Sequence, residues 1–117
     1  MPDYVVLMKL TTQGAKNLGE APQRIEAAKK AWEDLGGRVK SFHATMGEYD
    51  YVAIGEAPND WVAIAFVAEL AVAGDVTTST MKAFSEDDWK WALNAPAEAI
   101  RNGTVGSTYE TPMLRKR

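Results

Sequence analysis

The chain has 117 residues, 46% hydrophobic and 25% charged, the size and balance of one ordinary globular domain. It has no Cys and a single His, which excludes disulfide scaffolds, thiolate metal sites, cysteine nucleophiles and any site needing two His from one chain. The net charge of -3 is not the basic footprint of a nucleic-acid binder. The charge is uneven, because Arg101, Arg115, Lys116 and Arg117 outweigh Glu98 and Glu110 in residues 94–117. That closing basic triplet is too short for a nucleic-acid patch and reads as a solvated terminus.

In chain order, Tyr4 to Leu10 is β-rich and almost continuously apolar, the pattern of a strand covered on both faces. Thr11-Thr12-Gln13-Gly14 punctuates it, and a short helical turn is expected over 15–18. A helix is expected from Pro22, with Ile25, Ala28, Trp32 and Leu35 on one face, ending at Gly36-Gly37. Val39–Met46 and Tyr49–Glu56 read as two strands joined by a two-residue turn at Gly47-Glu48, which calls for φ > 0 at Gly47. Pro58-Asn59-Asp60 opens a second helix and Gly74-Asp75 closes it. Its run Trp61 to Ala68 is apolar all round, which predicts burial all round. Val76–Phe84 is a fourth strand. Ser85-Glu86-Asp87-Asp88 then caps a short helix carrying Trp89 and Trp91. Pro96, Gly103, Gly106 and Pro112 predict an irregular extension over 94–117, after a domain of residues 1–93.

The order is β-α-β-β-α-β, an α+β ferredoxin-like arrangement. Right-handed crossovers place both helices on one face of a four-stranded, antiparallel-rich sheet with spatial order 4-1-3-2. Apolar residues of both parities in the first and third strands imply that the second face is covered too. A second copy of the chain is the simplest cover, and the C-terminal tail is the alternative. The expectation is a homo-oligomer, at least a dimer. No leader with a basic start and apolar core is visible, and the apolar run 61–73 is too short to span a bilayer. A cytoplasmic protein without a membrane or nucleic-acid partner is expected.

Gly47-Glu48-Tyr49-Asp50 resembles the Gly-x-Tyr-Asp signature of the GYD-domain family. Thr12-Gln13-Gly14, Leu35-Gly36-Gly37, Glu56-Ala57-Pro58 and Lys82-Ala83-Phe84-Ser85 sit where that family has similar residues. The resemblance covers roughly residues 4–93. It implies a ferredoxin-like fold of the kind that pairs into dimeric α/β barrels, and a structural role for Gly47, Tyr49 and Asp50. It implies no particular activity.

The two-residue turn pairs Ala44 with Tyr51 and His43 with Val52. Phe42, Ala44, Met46, Tyr49, Tyr51 and Ala53 then share one face; Ser41, His43, Thr45, Asp50, Val52 and Ile54 share the other. His43 and Asp50 become diagonal neighbours, so the carboxylate could hold the imidazole as an acid or base. The plainer reading gives Asp50 a bond to backbone or Thr45 and makes His43 structural. A metal held by His43, Asp50 and Glu48 is weaker still, because Glu48 sits at the turn. Neither a phosphate loop nor a Gly-x-Ser-x-Gly elbow is present. Tyr49, Tyr51, Trp61, Trp89 and Trp91 suggest either an aromatic pocket or ordinary core and interface.

The principal reading is therefore a homo-oligomeric binding module without a cofactor. Its paired sheets would enclose a cavity for a small apolar or aromatic ligand, lined by Phe42, Met46, Tyr49 and Tyr51. The alternatives are a cofactor-free acid–base enzyme using His43 and Asp50, and a self-assembling shell or scaffold subunit.

Overall fold

Burial along the first strand decides how the layers stack. In β1, Asp3–Leu10, the side chains of Tyr4, Val6 and Met8 are buried, while Val5 and Leu7 between them are half-buried. The computed structural model describes residues 1–101, with side chains to residue 94. After β1 come α1 (Thr12–Lys16), a 3-10 turn (Leu18–Glu20), α2 (Ala21–Asp34), β2 (Arg38–Ala44), β3 (Tyr51–Glu56), α3 (Asp60–Ala73), β4 (Val76–Ala83) and α4 (Glu86–Arg101). The strands form one antiparallel sheet in the order β2-β3-β1-β4, the ferredoxin-like arrangement expected. The chain divides into two compact units, Met1–Ala83 and the part from Phe84 on. Among the described residues no helix is long and apolar enough to cross a membrane.

Within Met1–Ala83, α2 and α3 share the face of Tyr4. The core joins Tyr4 to Trp32 of α2 and to Ala63 and Phe66 of α3. Trp32 meets Tyr4 edge-on, with centroids 6.3 Å apart, and Phe66 likewise at 5.0 Å. Its indole lies across Gly37 and Gly55: a Cβ at either would come within 2.5 or 2.9 Å of Nε1. Bare backbone at those two positions lets a Trp sit where the sheet meets α2. Removing such a ring costs about 3–5 kcal/mol.

Local chemistry sets the element ends. Asn59 caps α3 by accepting from the Val62 N–H at 3.1 Å, and Gly74 ends it at φ +83°. Gly36, at φ +95°, ends α2. Thr11 caps α1, which begins three residues earlier than expected and ends at Lys16. Gly14 lies against the Asp75 carbonyl, where a Cβ would collide at 2.1 Å, so β1's exit and the α3–β4 turn close on each other. Thr11 Oγ1 donates to Gly74 O (2.6 Å), and Gln13 Nε2 to Ala73 O (3.0 Å) and Asp75 Oδ1 (2.9 Å), holding the same junction.

Further features depart from expectation. β2 and β3 are shorter than expected and leave a loop at 45–50, although the register keeps Ala44 opposite Tyr51 and His43 opposite Val52. A bulge lies between Val39 and Ser41. The apolar helix α3 buries Ala63 and Phe66 but leaves Trp61 80%, Ile64 60% and Val72 89% exposed. The C-terminal helix is also longer than expected, with Ser85 Oγ accepting from the Asp88 N–H (3.0 Å) at its start and three acidic residues in its first turn. It takes in the first residues of the segment expected to be irregular. The rest of that segment lies outside the described residues.

Candidate functional site

The loop at 45–50 is built by one glycine and one aspartate. Gly47 has φ +104°, as the turn requires, and open space around its Cα. The Thr45 N–H donates to Asp50 O (2.8 Å), and Thr45 Oγ1 donates to Tyr49 O (2.6 Å). Asp50 then leaves β2 and joins β1. Its N–H donates to Met8 O (2.8 Å), and its Oδ2 accepts from the Leu10 N–H (2.8 Å). The β1–β3 ladder ends at Met8 opposite Tyr51, so the Asp50 carboxylate supplies the acceptor that the strand no longer provides. The Gly-x-Tyr-Asp segment is thus a bracket that turns the chain and fastens it to the centre of the sheet.

His43 is exposed, opposite Val52 on the face away from α2 and α3. Among the described residues it makes no hydrogen bond or ion pair, while Asp50 serves the Leu10 amide. Glu48 is exposed at the loop tip, and among the described residues no three acidic or His side chains converge as a metal site. The four residues expected to line a ligand cavity separate. Phe42 and Tyr51 lie on the helix side with ring centroids 5.5 Å apart. Met46 is fully exposed, and Tyr49 is half-buried in the loop.

The sheet therefore has two different surfaces. On the helix side an apolar cavity of about 340 Å³ opens between α2, α3 and the central strands, with Phe42 and Tyr51 in its wall. On the other side, the register places Val5 and Leu7 of β1 beside Val52 and Ile54 of β3 and Met81 of β4. Ser41 and His43 continue that surface on β2.

Among the described residues three ionisable groups have shifted pKa values, and each shift has a structural cause. Burial, and then its hydrogen bond to Asp60, raise the Tyr4 phenol well above the usual tyrosine range. The Tyr4 hydroxyl, and then Lys82 with Nζ 3.1 Å from Oδ1, hold the Asp60 carboxyl below the usual range. Arg38 does the same for Glu56. These contacts join β1 to α3 and β2 to β3, a structural placement. No sequence pattern signals the Tyr4–Asp60 pair, because its partners are 56 residues apart.

With the bracket in place, its signature can be compared with known proteins. A sequence model of the GYD domain matches residues 4–93. The chain belongs to the GYD-domain family. A protein of Thermus thermophilus, described as a glutamine synthetase and cystathionine beta-lyase binding protein, is 36% identical over 89 residues, covering 75% of this chain and 94% of the relative. A crystal structure of a protein from the same organism superposes with a TM-score of 0.47 at 22% identity, covering 73% of this chain and 95% of that one. The GYD segment begins in β1 and ends within α4, so the whole sheet and the Asp50 bracket belong to it.

Proposed function

We propose that this GYD protein is a binding module that pairs with a second copy through the sheet face opposite α2 and α3 and, once paired, docks a protein partner. The observation that carries the reading is that face. Both α2 and α3 pack on the Tyr4 side, yet Val5, Leu7, Val52, Ile54 and Met81 make the opposite side apolar. An antiparallel sheet with one solvated face alternates apolar with polar residues, and these central strands do not. Trp61, Ile64 and Val72, exposed along α3, supply a second apolar surface for the partner. The Thermus relative, described as binding two enzymes, supports protein binding as the task. The Asp50 carboxylate accepts from the Leu10 amide, which favours the structural use of Asp50 over an acid–base pair with His43.

Light scattering on the full chain tests the pairing. The expected result is twice the chain mass at micromolar concentration. Leu7→Lys, which sets a charge between Val52 and Ser79 at the centre of the face, should give a folded monomer. A wild-type monomer, or a Leu7→Lys protein that still dimerises, overturns the reading.

A further inference from the structure

We propose that the cavity between α2, α3 and the sheet is a binding site for a small, neutral, planar apolar molecule, of the class of a two-ring aromatic. The cavity lies inside one chain, on the opposite side of the sheet from the pairing face. It therefore stands or falls independently of the dimer.

The packing explains why the space exists. α2 rests on β2 and α3 on β4, the two edge strands of the sheet. The central strands β1 and β3 are thus left as a floor between the helices, formed by Val6, Met8 and Ala53. The residues that could fill the gap are small, with Ala28 and Ala31 on α2 and Ala53 on β3. Close-packed interiors leave few voids larger than a water molecule. At about 340 Å³, this one lies within the range of small-molecule pockets. A dry apolar cavity of less than half that size, about 150 Å³, is enough to take up benzene.

The lining sets the ligand class. Ile25, Trp32, Phe66 and Leu70 form the walls, with Phe42 and Tyr51 at the β2–β3 end. An aromatic-rich lining suits a flat aromatic guest. The charged groups around the cavity argue against an anion. Arg24 is paired with Asp75 and lies 3.1 Å from Glu20. Lys29 is 3.5 Å from Glu26 and 5.4 Å from the centre of the Phe42 ring. Both cations are already engaged, and Glu69 on α3 adds a negative charge nearby. Among the described lining residues a buried carboxylate or sulfonate would find no uncommitted cation, and an unpaired charge is costly to bury.

Naphthalene and 2-naphthalenesulfonate share one ring system and differ in charge, so amide chemical-shift titrations of the full-length protein with each test both parts of the proposal. Naphthalene should bind saturably, one molecule per chain, shifting the amides of Val6, Ala28, Ala53 and Leu70 and sparing Leu7 and Val52. The sulfonate should bind at least tenfold more weakly. Ala28→Phe and Ala53→Leu fill the gap from opposite walls, and each should weaken naphthalene binding at least tenfold without changing the oligomeric state. If one of them does not fold, the other and the wild-type shift map still decide. Absence of saturable naphthalene binding overturns the site, as do shifts centred on Leu7 and Val52 or folded filled variants that bind like the wild type. Equal affinity for the sulfonate overturns the assignment of a neutral ligand.

Discussion

Asp50→Ala removes the acceptor that holds the end of β1. In the native chain the Leu10 N–H donates to Asp50 Oδ2 at 2.8 Å, and no β3 backbone partner takes its place. Hydrogen bonds to charged groups contribute about 1.5–3 kcal/mol, and truncation leaves the amide without a protein acceptor. In a cooperative unit the size of Met1–Ala83, each kcal/mol moves the melting temperature by about 4–8 °C. The expected fall is therefore roughly 6–24 °C, read by thermal melts and urea titration. Asp50→Asn keeps a carbonyl oxygen in the same place and loses only the charge, so it should cost less than half as much. Amide exchange localises the effect: the Leu10 N–H should exchange faster in Asp50→Ala and stay protected in Asp50→Asn. An Asp50→Ala protein within about 0.5 kcal/mol of wild type would refute the bracket, because that is the scatter of a neutral surface change. Equal losses in Ala and Asn would refute the acceptor argument and assign the effect to charge.

Gly47→Val places a β-branched residue at φ +104°. Nothing crowds that position, so the whole cost is backbone strain, about 1–3 kcal/mol. Gly47→Asn should cost visibly less, and a Gly47→Val protein that melts with the wild type contradicts the turn geometry. For Asp60, the Tyr4 hydroxyl and Lys82 hold the folded carboxyl below the ordinary aspartate range, near 3.9. Its contribution to stability is thus complete above about pH 4 and is lost as pH falls through the lowered folded value. Wild type should lose stability more steeply than Asp60→Asn below about pH 4; parallel acid-unfolding profiles would rule out the contribution.

How much could be read in advance follows from the range of each signal. The element order, the strand order and the positive φ of Gly47 were legible because period, caps and turns act over a few residues. Gly36 and Gly74 ended the helices they were expected to end. The bracket was half legible. The need of Asp50 for a partner follows from its place beside a turn, but the partner is Leu10, 40 residues away, and no local pattern names it. The same distance hid the division of the aromatic residues. Alternation correctly grouped Phe42 with Tyr51 yet could not say which face the helices would take, and that choice moves the pair from an expected intersubunit cavity to the wall of an intramolecular one. The cavity itself left almost no trace. Ala28 and Ala31 read simply as good helix residues. Only when α2 and α3 settle on opposite edge strands do these small side chains line an open space. A residue's helix or strand preference is a property of the chain, whereas an empty volume belongs to the spacing between elements. A chain can therefore keep its Gly-x-Tyr-Asp bracket while the volume between helices and sheet changes through a few small residues on α2 and β3.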